Sequence, residues 1–418
     1  MTAEIAIMNR YAVVLAADSA TTVTYWVQGK RSERYFKGAN KLFQLSEHRP
    51  VGLMIFNSAA IHGVPWEIVV KEFRRTLGEE GLPHLADYSQ RFAEFVKAQA
   101  IMFPDELRKK ALVQAASAAA YQIVRGIKEA ISRGEPDSPQ TIATQLDAER
   151  ARLTAETLPI CFTAADVDAA VAAHIAEVEA MTTADALLRT NDQGQFRQLA
   201  ELAIRRAIVG FKELVAHTGV VIAGYGEQEF FPSFKSFDCY GFLDSHFLWL
   251  EGSLSAAIGA NKTAVIEPFA TTSMINTFQM GISPDVYSKV VAATKKSLTE
   301  FADTLRASSD VIGPVQDVSG LIEDAAKAHQ KSWFYPSLDT HYDALARVVG
   351  SLPVTDMAAL AKSLIELESL KERVTEPSES VAGPTDVAVI SKHDGFVWIE
   401  RKHYFKPELN PRFSARYK

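Results

Sequence analysis

Thr2-Ala-Glu-Ile-Ala-Ile-Met-Asn-Arg-Tyr-Ala-Val-Val-Leu-Ala-Ala-Asp-Ser19 decides the fold class of this chain. Ile5 and Ile7 alternate with smaller or polar residues, the period of a β-strand. Asn9-Arg10 has turn chemistry. Tyr11 to Ala17 form a near-continuous apolar run that reads as a buried strand. The two runs make a hairpin. An export signal is the competing reading, and it fits poorly. Glu4, Asn9 and a single cation, Arg10, precede the apolar run, which stops at Asp18 after seven residues.

Outward from this hairpin, Lys41 to Leu45 and Val51 to Phe56 are further strand candidates, divided by the turn-forming Ser46-Glu-His-Arg-Pro50. From about residue 61 to 217 the pattern is helical. Val167, Val171, Ile175 and Val178 recur at helical spacing, and Thr163 with Asp166 reads as a capping box. Strands return at Val220 to Ala223 and run on to about Ile258. Helices resume after Ser283-Pro284, and Met357, Leu360, Leu364 and Leu367 mark a late amphipathic helix. Asp386 to Ile390 and Phe396 to Ile399 flank Lys392-His-Asp-Gly395, a strong hairpin signal. Segregated runs of strands and helices predict an α+β fold with antiparallel sheets.

Composition narrows the function. At roughly 150 residues per domain, 418 residues allow two or three domains, or one with large insertions. Apolar residues make up 47% and charged residues 23%, which excludes disorder as the dominant state. A net charge of −7 argues against a nucleic-acid grip made by overall charge. Cys161 and Cys239 alone cannot build a disulfide framework or a CxxC metal site, which predicts a reducing, cytoplasmic setting. No apolar run reaches the ~18 residues of a membrane helix, so no membrane partner is expected. GxSxG, HExxH and P-loop motifs and a complete GxGxxG are missing from the sequence.

The chemistry that remains is at the start of the chain. Methionine is removed when a small residue follows, and removal of Met1 would give Thr2 both a hydroxyl and a free α-amine. That amine has a reference pKa of ~7.7–8.0, so a neutral fraction is present near pH 7. It can serve as the base that a weak threonine nucleophile lacks. A nearby lysine lowers the amine's pKa by like-charge repulsion, and a carboxylate would hold that lysine in place. No metal or other cofactor is required.

The hairpin ends in Leu15-Ala-Ala-Asp-Ser19. Lys37-Gly-Ala-Asn-Lys-Leu-Phe-Gln-Leu45 and Val51-Gly-Leu-Met-Ile-Phe-Asn-Ser-Ala59 follow. With Val221-Ile-Ala-Gly-Tyr225 and the closing hairpin, these segments resemble proteasome β-subunits and the HslV-type bacterial peptidase, which are N-terminal-nucleophile (Ntn) hydrolases. The resemblance covers about a third of the chain and implies a four-layer αββα sandwich with helical insertions. It implies one domain over 1–418, its core from about 1–60, 216–262 and 351–400 and its insertions about 61–215 and 263–350. It further implies a threonine peptidase or amide hydrolase that forms an acyl-enzyme and self-assembles, most simply as a homo-oligomer, with no ATPase partner specified.

Carried over by residue, Thr2 resembles the nucleophile, Asp18 and Lys37 the charged pair beside it, and Lys41 a second, structural lysine. Asn57 stands at the oxyanion position, where the family has glycine; its backbone N–H survives the change. Thr22 and Ala59 resemble positions that pair with an extended substrate, and Ile55 would line an apolar specificity pocket. Accessory serines are not matched: Gly259-Ala-Asn261 stands at one such position, and Ser378-Glu-Ser380 lies only roughly at the others. The alternative is a catalytically inactive subunit that keeps the fold for structure or assembly.

Overall fold

The computed structural model of the protein describes residues 2–27, 30–185, 187–188, 190, 192–307, 318–375, 381–403 and 405–412. The chain begins with β1 (Ala3–Asn9), β2 (Ala12–Ala17), β3 (Ala20–Val27), β4 (Lys30–Lys37), β5 (Leu42–Gln44) and β6 (Val51–Phe56). A small pair, β7 (Ala60–Ile61) and β8 (Val64–Pro65), leads into α1 (Trp66–Leu77), α2 (Leu85–Ala98), α3 (Asp105–Ser132) and α4 (Pro139–Ala155). Then come α5 (Ala164–Ala184), α6 (Gln193–Val209) and the short α7 (Phe211–Leu214). Four strands follow: β9 (Thr218–Gly224), β10 (Ser233–Leu243), β11 (His246–Ala257) and β12 (Ala264–Ala270). Four helices come next: α8 (Ser273–Met280), α9 (Pro284–Ala307), α10 (Ser319–Val349) and α11 (Val354–Thr375). The last strands are β13 (Asp386–Ser391) and β14 (Gly395–Glu400).

The fold is α+β with antiparallel sheets. One five-stranded sheet has the order β12-β1-β2-β13-β14 and the other β11-β10-β9-β6-β5. Side-chain alternation decides what each face meets. On β1 and β2, Ala3, Ile5, Ile7, Ala12, Val14 and Ala16 pack with Met357, Ala361, Leu364 and Ile365 of α11. The alternate residues Ala6, Met8, Val13, Leu15 and Ala17 pack with Met54, Val221, Ala223 and Phe234 of the second sheet. Opposite Met54 in alternation, Leu53 and Ile55 join Val220 and Ile222 against Trp66, Val69, Val70 and Phe73 of α1 and Phe92 of α2. Fully burying each such Val, Leu, Ile or Phe contributes about 1.5–3 kcal/mol. Trp66 keeps its indole N–H satisfied by donating to Thr218 Oγ1 at 3.0 Å.

The predicted turn at Asn9 does more than reverse the chain. Its Oδ1 accepts from Tyr11 N, and its Nδ2 donates to the carbonyls of Val349 and Leu352, each at 3.0 Å. The opening hairpin is thereby tied to the α10–α11 junction. Helices α3 to α7 form a separate cluster around Leu112, Ala116, Leu199, Ala203 and Ile208, seated on Tyr240, Leu243 and Leu248 of β10 and β11.

Residues from 263 onward, expected to be helical, begin instead with a strand. Each residue of β12 pairs with β1, from Ala3↔Ala270 to Asn9↔Ala264. Pro268 and Glu267 interrupt its local strand pattern, and pairing with a segment some 260 residues away supplies what local propensity lacks. The segment Ser378-Glu-Ser380 lies outside the described residues.

Candidate active site

Thr2 stands one residue before β1, at the end of the sheet where β2 runs out into Asp18. Its carbonyl accepts from Thr271 N at 2.8 Å, just past β12. Asp18 N donates to Ala3 O at 3.1 Å, and Ala3 N donates to Asp18 Oδ1 at 3.0 Å. The two strand ends are thus locked to each other. Thr2 is 7% exposed and Asp18 1%.

The Asp18 carboxylate is the hub of this end. Beyond Ala3 N, it accepts from Ala20 N at 2.9 Å and from Ala382 N at 3.1 Å, both at Oδ2. Its ionic partner is Lys41, whose Nζ lies 2.5 Å from Oδ1. Lys41 is also buried, and a buried ammonium persists only when paired.

The sequence places Lys37 beside Asp18, but the ion pair to that carboxylate comes from Lys41. Lys37 ends β4, opposite Ala20 in register, and is exposed. The β3–β4 hairpin absorbs the chain from Ala20 to Lys37, and only after it does the backbone turn inward. Lys41 O then accepts from Ile55 N at 2.9 Å, continuing the β5–β6 ladder and drawing the Lys41 side chain under the first sheet. The lysine read as structural pairs with Asp18 and lies beside Glu4, which accepts from the Thr2 hydroxyl.

A third ionisable group completes the cluster. Glu4, in an otherwise apolar strand, is fully buried. Thr2, Glu4, Ala6 and Met8 alternate onto one side of β1, the side that meets the second sheet. Thr2 Oγ1 donates to Glu4 Oε2 at 3.1 Å. Lys41 Nζ lies 3.2 Å from Glu4 Oε1, out of line for a hydrogen bond, and that oxygen has no hydrogen-bond partner. Burial pushes the Glu4 carboxyl up to about 7; the Lys41 charge pulls it down, the Asp18 charge raises it, and the hydrogen bond from Thr2 lowers it. Sequence reasoning missed Glu4. The signal was available: a carboxylate two residues from the threonine on a strand shares its face.

Asn57 follows β6, whose Ile55 bonds Lys41, so the chain reaches it from the same end of the second sheet. Its backbone is left-handed, with φ of 68°, a conformation that asparagine tolerates better than most residues. Its side chain is exposed and Nδ2 lies 3.0 Å from His217 Nε2. Ile55 is 1% exposed in the core against α1, so it packs rather than lines an open surface. Ala59 is exposed, with its carbonyl accepting from Trp66 N at 3.1 Å. Thr22 faces Tyr35 in the β3–β4 pair, and its buried Oγ1 has no hydrogen-bond partner.

Among the described residues, no group of three or more His, Cys, Asp and Glu stands in an arrangement that could hold a metal ion. No helix among them is long and apolar enough to cross a membrane. Cys161 and Cys239 are both free.

No protein-family model matches the chain, and no curated protein does. Among solved structures, the Anbu (Gly-1) mutant from Hyphomicrobium sp. strain MC1 is similar at 9% identity and a TM-score of 0.31. That similarity covers 100% of this chain and 94% of the other. The assignment to proteasome β-subunits and HslV-type peptidases is thereby corrected: no family model supports it, and a likeness this distant carries no assignment.

Proposed function

We propose that the protein is an amide or peptide hydrolase whose nucleophile is Thr2, freed as the first residue by removal of Met1. The observation that carries this reading is the convergence of Thr2, Asp18 and Lys41 at one buried strand end. Thr2 Oγ1 attacks a carbonyl carbon, the amine departs, and a threonyl ester remains until water hydrolyses it. The Lys41 ammonium keeps the freed α-amine neutral by like-charge repulsion, and Asp18 holds Lys41. The Asn57 backbone N–H is assigned to the developing oxyanion, and Thr22 and Ala59 to the flanks of an extended substrate.

The domain reading that goes with this is one unit over 1–418, with a helix–sheet–sheet–helix order of layers. It is supported by the way β1 and β2 share one face with α11 and the other with the second sheet. Two free thiols support a reducing, cytoplasmic setting.

Intact mass tests the first step: loss of Met1 is expected, and a retained or acetylated Met1 overturns the reading. A peptide β-lactone should then form one adduct, on Thr2, that disappears in Thr2→Ala. Turnover of peptides rather than small acyl amides separates peptidase from amidase.

A second reading is a non-catalytic assembly subunit. It is favoured by the Asn57 side chain being engaged with His217, and by exposed Val286, Phe301 and Leu305 on α9 with Leu321 on α10. Those apolar side chains suit self-association as a homo-oligomer. Assembly by sedimentation together with no Thr2 adduct would select it.

A further inference from the structure

We propose that Glu4 is a catalytic residue: the carboxylate that takes the Thr2 hydroxyl proton directly as the nucleophile attacks. The proposal rests on the reading of Thr2 as nucleophile and puts Glu4, in place of the α-amine, as its proton acceptor.

Three observations carry it. The Thr2 hydroxyl already donates to Glu4 Oε2 at 3.1 Å, so the proton has a path without an intervening water. Glu4 is fully buried, and Oε1 lacks a hydrogen-bond partner beside Lys41 Nζ. A carboxylate kept that dry at a structural cost calls for an explanation beyond packing. Alanine or valine would serve at Glu4 if the position were only core, as Ala6 serves two residues on. Finally, Asp18 already supplies Lys41 with a counterion, at 2.5 Å. Glu4 is therefore a second carboxylate, and it is the one that faces the hydroxyl.

The step balances within the site. As Thr2 Oγ1 bonds to the substrate carbonyl carbon, the O–H bond breaks and its proton bonds to Glu4 Oε2. The carbonyl π pair moves to oxygen. When the C–N bond breaks, Glu4 returns the proton to the leaving nitrogen and is again a carboxylate. Water attack on the ester repeats the exchange, with the proton passing from water to Glu4 and then to Thr2 Oγ1. Protonation of Glu4 is eased by burial, which raises its pKa to about 7, near the working pH at which a base of this kind is most effective.

The test is the rate of β-lactone acylation of the full-length protein across pH. Glu4→Gln is expected to label Thr2 at least about 10²-fold more slowly and to lose the inflection near neutrality. An unchanged rate and profile would overturn the role of Glu4 while leaving Thr2 as nucleophile. No Thr2 adduct in the unsubstituted protein would instead overturn both. A second measurement needs no variant: carbon NMR titration of the glutamate carboxyls before and after acylation. Acylation removes the hydroxyl donor, so one near-neutral glutamate should titrate at higher pH afterwards. A titration that does not move would also overturn the proposal.

Discussion

Lys41 Nζ lies 2.5 Å from Asp18 Oδ1 and 3.2 Å from Glu4 Oε1, so one buried ammonium serves two buried carboxylates. Removing it strands both. Lys41→Met should cost about 3–5 kcal/mol, the usual penalty for leaving a buried partner unpaired. Lys37→Met, at an exposed residue, should cost less, about 1 kcal/mol at most. Urea unfolding of the two variants checks that Lys41 is the lysine on which the buried carboxylates depend. Equal losses would contradict it.

Glu4 makes stability depend on pH with a definite sign. Its carboxyl binds a proton more tightly folded, at about 7, than at the ordinary 4.5. Between those values the native state holds a proton that the unfolded chain has released. The stabilisation is complete below about pH 4.5 and is lost as pH rises through about 7. At about 1.4 kcal/mol per unit, the unfolding free energy of the unsubstituted protein should fall by about 3 kcal/mol relative to Glu4→Gln across this window. Paired denaturant titrations at the two ends give the difference directly.

Gly224 sits where β9 ends, with φ of 138° and the Pro50 carbonyl oxygen only 2.0 Å from where a Cβ would stand. Strain and backbone collision act together at this position. Gly224→Ala should lose about 3 kcal/mol. Gly38 has nothing within 4 Å of its Cβ position, so Gly38→Ala is the matched control and should be near neutral. Thermal melts of both decide it.

The capping box of α5 is testable away from the candidate site. Thr163 accepts from Asp166 N at 3.2 Å, and Asp166 Oδ2 accepts from Thr163 N at 2.8 Å. Thr163→Ala should cost about 1 kcal/mol with no effect on Thr2 labelling.

The opening and closing hairpins were readable because local alternation and turn residues suffice for them: Asn9-Arg10 in one, Asp394-Gly395 in the other. The same local rules found Val51–Phe56 and the start of α9. They failed at β12, whose strand identity comes from β1 across the chain. The site was legible in part. Thr2 and Asp18 are joined by a hairpin of readable length. The lysine is separated from them by β3 and β4, and counting residues cannot say how many of them a hairpin takes up. That is why Lys41, the partner of Asp18, reads as structural in the sequence. Glu4 escaped because a lone acid in an apolar strand resembles an exposed alternate position until the second sheet is known to cover it.

The surroundings of the first residues are completed by some of the last. Ala382 N bonds Asp18 Oδ2, Ser19 N bonds Ala382 O, and Ser19 Oγ donates to the Pro384 carbonyl. A growing polypeptide has therefore emptied most of its message from the ribosome before Asp18 gains these contacts. The hydrogen bonding around Asp18 is completed only when the trailing segment docks, late in the chain's emergence.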